Sequence, residues 1–556
     1  MSTTGREVLR RSIAGQRRSV ALASLLTAGH QGGEALVPVV IGVVIDQAVA
    51  GASVVTLVVW LAVLGVLFAA LSTSYRWGAR FAEQAAERAG HELRLDLARR
   101  VLHPAGGAEA GNLAGELVSV GTSDAKRVGE INGVLPFGVA GLAGLLVTAI
   151  VLLTRSVPLG LLVLLGTPPM LYIAHLIGKP LERRSEAEQE RSAFASGVAT
   201  DLVAGLRVLK GVGAERAAID RYRGTSRSSL RATLRAARAQ AWHNGALLAL
   251  TGIFIALVAL VGGNLAAAGS ISVGDLVAAV GLAQYLITPF SMFSWVNGEL
   301  AQGRASAGRI ADVLNAPPAV GSGDAVLPTP SAGHVRVHAL SRGALRDVEF
   351  EARPGELLGV VAIDPAAATD LLDCLGRAAD PMAGSVSVDS VDLSTVDPSR
   401  VREVVLVAAH DADLFAGTIT ENVATGPRVE EALTAAAVDE VASALPNGVD
   451  TEVSERGRSL SGGQRQRVAL ARALAVDAPV LVLHDPTTAV DTVTEARIAA
   501  GLATLRRGRT TILVTTSPAL LSATDRVVLL DGGRVVEQGS HATLAVRADY
   551  RAAVLA

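Results

Sequence analysis

Leu460-Ser-Gly-Gly-Gln464 leads without interruption into Arg465-Gln-Arg-Val-Ala-Leu-Ala-Arg-Ala-Leu474. A Ser-Gly-Gly turn here opens an amphipathic helix whose apolar positions are Val468, Leu470, Ala471 and Leu474. The two glycines let backbone N–H groups approach an anion closely, and a helix N-terminus adds partial positive charge. Taken alone, the five residues read equally well as an ordinary glycine turn before an Arg-rich helix. The rest of the chain decides between these readings.

The chain has 556 residues, enough for several domains. Half of them are apolar and mean hydropathy is +0.41, high for a soluble protein. A net charge of −2 gives no reason to expect nucleic acid as a partner. The single cysteine, Cys374, excludes an intrachain disulfide framework and signals no metal cluster; it reads as a small buried apolar residue. The N-terminus is polar and Arg-rich rather than a cleavable signal, and the apolar region after it is long enough to stay in a membrane.

Residues 1–18 form a cytoplasmic flank, with Arg6, Arg10, Arg11, Arg17 and Arg18 against one acid, Glu7. Six long apolar segments follow near 20–50, 54–76, 134–154, 157–178, 245–267 and 275–297, each able to cross a bilayer core of ~30 Å as a helix. The turns near Gly51, Arg155 and Gly269 are short, and Arg155 is their only basic residue. Segments 77–133 and 179–244 are long and Arg-rich, so the positive-inside rule places them and both termini in the cytoplasm. The helical spacing of 87–102, then Gly115-Glu-Leu117, Ser123-Asp124, 201–210 and Glu215, makes these excursions helical. Within or near the apolar segments lie His30, Glu34, Asp46 and His175. Glu34 is the deepest acid and could line a substrate path or bond a neighbouring helix; Asp46 reads as structural. Pro168-Pro169 and Pro289 are expected to kink the fourth and sixth helices.

After a Pro/Gly linker at 316–332 the pattern changes to short β-branched strands alternating with helices: Val335–Val337, Val348–Phe350, Leu357–Ala362, Gly384–Val388, Val404–Val407, Val480–Leu483, Thr511–Val514 and Arg526–Leu530. This is an α/β domain with an attached antiparallel subdomain. Leu414-Phe-Ala-Gly-Thr-Ile-Thr-Glu-Asn-Val423, 445–457, Leu460–Gln464, Asp485-Pro-Thr-Thr-Ala-Val-Asp491 and Gly533-Arg-Val-Val-Glu-Gln-Gly-Ser-His541 follow in order. Together they resemble the ATP-binding cassette (ABC) transporters of exporter type nearly end to end. The resemblance implies a six-helix transmembrane domain (19–315), the linker, and an ABC-type nucleotide-binding domain with antiparallel β and helical subdomains (333–556). It also implies that the cytoplasmic loops couple to the nucleotide domain, with Glu455 at the contact position. Leu460–Gln464 is the family's signature, which closes over the γ-phosphate of ATP held by the partner subunit. Asp491 lies in the D-loop.

The chain's own ATP site departs from the family. A phosphate loop needs G-x-x-x-x-G-K-[ST] between a strand and a helix. Here the strand Leu357–Ala362 is followed by Ile363-Asp-Pro-Ala-Ala-Ala-Thr-Asp370. Ala362 and Ala367 stand at the motif's two glycine positions, Ala368 replaces the lysine, and Thr369 keeps the hydroxyl. Pro365 has no N–H to donate. Asp364 and Asp370 bring negative charge to a phosphate position, and either carboxylate could cap the helix. His484 occupies the Mg²⁺-associated Asp position, a poor exchange for a cation that prefers oxygen. Asp485 replaces the water-polarising Glu, His410 the Q-loop Gln, and Thr516 the switch His. The segment 335–345 offers no aromatic residue for adenine.

The resemblance, with these departures, implies a degenerate half-transporter in a heterodimeric exporter of the cell inner membrane. ATP and Mg²⁺ would be held mainly by a partner with intact Walker A and B motifs, and hydrolysis is expected only in the pair. Ser461, Gly462, Gly463 and Gln464 would serve the partner's ATP. The cargo would be a small molecule, lipid or peptide; aromatics at 3% of the chain do not signal a large aromatic drug cavity. A non-pumping regulator or scaffold, and an importer with an exporter fold, are the other readings.

Overall fold

The computed structural model describes residues 3–49, 54–410, 413–424 and 426–554. The turn expected near Gly51 lies outside the described residues. Two compact units emerge: Met1–Leu97 with Val118–Asp312, and Ala98–Leu117 with Val313–Ala556.

The first unit is helical. An Arg-rich helix α1 (Gly5–Gly15), capped by Thr4, precedes α2 (Arg17–Val44), which ends in a π-helical turn over Ile45–Val49. Then come α3 (Val54–Val101), α4 (Ala114–Ser119), α5 (Ala125–Arg155), α6 (Val157–Ala204), α7 (Leu206–Gly211), α8 (Glu215–Ala267), α9 (Val273–Tyr285) and α10 (Ile287–Asn315). Among the described residues, six stretches are long and apolar enough to cross a membrane. A helix satisfies its own backbone polar groups, which is what lets such a chain span lipid. The spans do not stop where the apolar run stops: α3 and α6 continue unbroken to 48 residues and α8 to 53, carrying the charged excursions as extensions of the same helices.

Close approach in this unit depends on small residues. A Cβ on Gly129 of α5 would lie 2.6 Å from the Ala86 carbonyl oxygen of α3. Asp46 has the structural role expected of it. Its carboxylate accepts from the Ser272 hydroxyl and from the Gly274 N–H (2.8 Å), tying the end of α2 to the start of α9. The sixth span is interrupted at Leu286, whose backbone stays αR, directly after Tyr285, the residue whose carbonyl loses its i+4 donor to Pro289; the proline expected to kink this helix lies where it is interrupted. Pro168 and Pro169 lie inside an uninterrupted α6.

In the second unit, β1 (Val335–Arg342), β2 (Leu345–Ala352), β4 (Ala383–Val388) and β5 (Val391–Asp392) form an antiparallel sheet ordered β2-β1-β4-β5. The main sheet is ordered β12-β11-β3-β10-β9-β6, from β3 (Leu357–Ala362), β6 (Val405–Ala408), β9 (Val480–His484), β10 (Thr510–Val514), β11 (Arg526–Asp531) and β12 (Arg534–Gly539). Only β12 runs antiparallel. Strands β3, β9 and β10 are buried almost throughout, as parallel strands covered on both faces must be. Gly417–Thr418 (β7) and Glu452–Val453 (β8) make a small ribbon. The helices are α11 (Pro365–Leu375), α12 (Pro398–Val404), α13 (Ile419–Val423), α14 (Val429–Ala435), α15 (Val438–Ser443), α16 (Gly462–Ala475), α17 (Thr492–Leu505), α18 (Pro518–Ser522), α19 (His541–Leu544) and α20 (Ala548–Val554).

One core joins both sheets to α11, and a second joins the helices from α13 to α17 to the other face of the main sheet. Cys374 is in the first, and burial pushes its thiol up to about 12. Residues Ala98–Leu117, between the second and third spans, belong to this unit. Ala319 N–H donates to the Ala105 carbonyl (2.9 Å), Arg100 to that of Ala316 (2.6 Å) and Arg402 to that of Pro104 (2.9 Å).

Candidate functional site

Four loops leave the carboxyl ends of four neighbouring parallel strands, the usual place for a ligand on an open α/β sheet. They carry Ile363-Asp364 after β3, Thr515-Thr516 after β10, Asp485 after β9 and Ala409-His410 after β6. The positions singled out from sequence for the chain's own nucleotide site therefore meet at one edge.

The phosphate loop itself is closed from within. Helix α11 begins at Pro365, so most of the expected loop is helix. Asp364 is its N-cap: Oδ1 accepts from Ala366 N–H (2.9 Å), and its carbonyl accepts from Ala367 (3.0 Å) and Ala368 (3.3 Å). Ile363 N–H donates to the Leu530 carbonyl (3.0 Å). The backbone donors that a phosphate would need are thus bonded to protein oxygens, and the Asp364 carboxylate stands beside them. Ala367 and Ala368 are buried, at 2% and 5% exposure. Thr369 turns its hydroxyl back onto the Pro365 carbonyl (3.1 Å). Asp370 does not cap α11; its carboxylate holds the β1–β2 turn through Ala344 N–H (2.7 Å). These residues do not fit a nucleotide triphosphate with Mg²⁺.

Across the same edge, the His410 and His484 rings lie 5.8 Å apart. His410 Nδ1 is 3.3 Å from the Asp485 carbonyl, and His484 Nε2 is 3.8 Å from the Asp485 carboxylate. Asp485 has a left-handed backbone (φ +42°) and donates its N–H to the Val514 carbonyl (3.0 Å). A cavity of about 200 Å³ lies here, lined by His410, His484, Arg465, Gln466, Gly462 and Ala489 among others. No residue of the 362–370 loop lines it. Thr516 is exposed.

The signature turn is built differently. Ser461 caps α16, with Oγ accepting from Gln464 N–H (3.3 Å) and Gln464 Oε1 accepting from Ser461 N–H (2.9 Å). This reciprocal box fixes both side chains. The N–H groups of Gly462 and Gly463 are the first of the helix, without intrahelical acceptors. A Cβ on Gly463 would come within 2.5 Å of the Ala489 carbonyl oxygen, so glycine is needed for the D-loop to pass. Gln466, which sequence reading missed, joins the two: Nε2 donates to Thr488 Oγ1 (2.7 Å) and Oε1 accepts from Ala489 N–H (2.8 Å). It lies two residues past the signature, on the helix face that meets the D-loop, but nothing in its residue type marks it. Asp491 is the N-cap of α17, accepting from Thr494 (3.0 Å) and Val493 (3.1 Å), and these backbone bonds lower its pKa. Glu455 is exposed on a turn whose Arg456 has φ +58°.

In the first unit, Glu34 is half-exposed on a cavity of about 550 Å³ shared with His30, Phe68, Gln284 and Tyr285. His30 Nδ1 is 2.9 Å from the Leu71 carbonyl and its Nε2 is 3.9 Å from Glu34; Tyr285 donates to the Gln31 carbonyl (2.7 Å). Sequence reading also gave no weight to Asp124 as a pairing residue. It is buried and accepts from Ser306 (2.8 Å) and, through both oxygens, from Arg309.

Comparison with known proteins agrees with this architecture. Residues 20–290 match the ABC transporter transmembrane region and residues 345–488 the ABC transporter domain. An ATP-dependent lipid A-core flippase of Burkholderia pseudomallei is 33% identical over 69% of this chain and 67% of the flippase. A multidrug efflux ATP-binding/permease protein of Mycobacterium tuberculosis is 32% identical over 91% of this chain, which spans 43% of that protein's length. A solved structure of a bacterial Atm1-family ABC exporter with ATP bound shares the fold, with a TM-score of 0.74, 23% identity and 98% of both chains covered. With a six-span membrane region and a cassette domain on one polypeptide, the chain belongs to the ABC transporters of exporter type.

Proposed function

We propose that this chain is the degenerate half of a heterodimeric ABC exporter of the cytoplasmic membrane, with both termini in the cytoplasm. One observation carries the reading. The loop at 363–368 spends its backbone donors on Asp364 and Leu530, while the turn at 461–464 is intact and leaves two glycine N–H groups at a helix N-terminus. A chain built this way serves a nucleotide held elsewhere. Ser461, Gly462 and Gly463 would receive the γ-phosphate of ATP bound to a partner's Walker A, and Gln464 would hold Ser461 in place. ATP with Mg²⁺ supplies the phosphoanhydride to be cleaved at that composite site. The opposite site, with His484, Asp485, His410 and Thr516 in its key positions, would not hydrolyse.

Seating the partner's phosphate on Ser461–Gly463 would draw the two cassettes together. Gln466 then links that event to the D-loop and Asp491. The turn at Glu455 and the segment 98–117 would transmit it to the membrane helices. Amphipathic compounds suit the cavity at Glu34, and the efflux and flippase names of the relatives accord with such cargo.

The reading is tested by expressing the chain alone and with a candidate partner of intact Walker motifs. The isolated chain is expected to show no ATPase and no tight nucleotide binding, and the pair to hydrolyse ATP. Tight ATP binding by the isolated chain would overturn it.

A further inference from the structure

Four arginines converge on one cavity where α6 meets α8. Arg183, Arg184, Arg235 and Arg238 line a space of about 460 Å³, floored by Ala187 and Ala232. Among the described residues none of the four makes an ion pair; Arg235 Nε donates only to the Arg231 carbonyl (3.1 Å). Acids are excluded from one wall altogether, since α8 carries none from Arg221 to its end at Ala267. On the other wall, Glu188 is on Thr233 (3.1 Å), and neither Glu182 nor Glu186 lines the cavity. All four are exposed, and guanidiniums gathered without an ion-pair partner attract an anion placed among them.

Their depth indicates which anion. Helix α6 starts at Val157 and α8 ends at Ala267, both at the short outer turns. At ~1.5 Å per residue, Arg183 and Arg184 lie ~40 Å down α6, and Arg238 and Arg235 lie ~45 Å from the outer end of α8. A bilayer is ~40–45 Å thick including both headgroup layers. The cavity is therefore level with the cytoplasmic headgroups, where basic pockets between spanning helices take phosphate-bearing lipids.

We propose that Arg183, Arg184, Arg235 and Arg238 bind the phosphate headgroup of an acidic phospholipid of the cytoplasmic leaflet. Arginine forks chelate phosphate in a bidentate manner, and the two alanines leave room for it. The proposal rests on the orientation given above, but not on which subunit holds ATP.

The test uses the full-length chain in detergent with a photoactivatable phosphatidylglycerol, the cross-links being mapped by peptide mass spectrometry. Cross-links are expected at 179–191 and 227–243, displaced by unlabelled phosphatidylglycerol and not by phosphatidylcholine. The double variant Arg235→Gln/Arg238→Gln should bind about thirtyfold more weakly, and Arg235→Lys/Arg238→Lys, which keeps the charge but not the bidentate fork, should fall between it and wild type. Equal labelling of wild type and the glutamine variant would overturn the proposal, as would equal competition by phosphatidylcholine. Full displacement by millimolar inorganic phosphate would overturn the lipid as the source. Loss of the cross-links when a partner subunit is added would assign the patch to protein contact instead. Should the glutamine variant insert poorly, the wild-type competition decides alone.

Discussion

Replacing Ala368 by lysine puts back the residue that family members use to reach the β- and γ-phosphates, and the structure predicts that it harms the protein without restoring binding. Ala368 is 5% exposed and belongs to the core shared by both sheets. A lysine there must either bury its ammonium or unwind the first turn of α11 to reach water. An unpaired buried charge costs ~3–5 kcal/mol. Unwinding gives up the three bonds that Ala366, Ala367 and Ala368 make to Asp364, at ~1 kcal/mol each. Both routes converge on a local loss of ~3 kcal/mol, equivalent to a roughly hundredfold change in an opening equilibrium. Hydrogen exchange by mass spectrometry on the full-length chain reads this directly. Amides of 357–375 should exchange about a hundredfold faster in Ala368→Lys, and equilibrium ATP binding should not rise. Unchanged protection together with a gain of ATP affinity would refute the reasoning, because it would mean that the loop can open around a phosphate.

Other consequences are as specific. Gln466→Ala removes both bonds between α16 and the D-loop; exchange at 488–491 should quicken by ~1–2 kcal/mol of lost local stability, and turnover of an assembled pair should fall. Arg377 is 2% exposed, with Nη2 on the carbonyls of Gly321 (2.7 Å) and Ser394 (2.8 Å) and Nε on Asp380 (3.2 Å); Arg377→Ala should destabilise the second unit by ~3–5 kcal/mol in denaturant titration. Burial of the Asp389 carboxyl opposes its ionisation, but the Ser331 hydroxyl and the N–H groups of His334, Gly333 and Ala332 outweigh this and lower its pKa. Its stabilisation is present above the unfolded value of ~3.9 and is lost as pH falls through the lower folded value. Asp389→Asn, which tolerates the φ of +50°, should melt at lower temperature at pH 7, and the gap to wild type should close below pH ~4.

Much of the cassette fold was legible because its strands are short β-branched runs bounded by turn residues. Leu357–Ala362 was read to the residue, while β1 and β2 were read too short. β1 bulges at Ala339 (φ +48°) and β2 carries a left-handed Asp347 (φ +55°), so alternation breaks inside both strands. The membrane spans were legible as apolar runs. Their charged extensions were read as helical, but hydropathy could not show that they are the same helices, since it changes along an element that the backbone does not interrupt. At the site, the replacements at 362–369 were visible as residue types. What closes the loop was only half visible: two aspartates could cap α11, and tertiary contact chose Asp364 by giving Asp370 to the β1–β2 turn. Gln466 and the Asp124–Arg309 pair depend wholly on which elements meet, which spacing along the chain does not encode.

The most direct measurement is the ATPase rate of the assembled pair in which this chain carries Ser461→Arg. The substitution removes the cap on α16 and puts a bulky side chain where the partner's phosphate would be seated. Turnover is predicted to fall to background while the pair still assembles. An unchanged rate would contradict the account, since it would leave the signature turn of this chain without a part in hydrolysis.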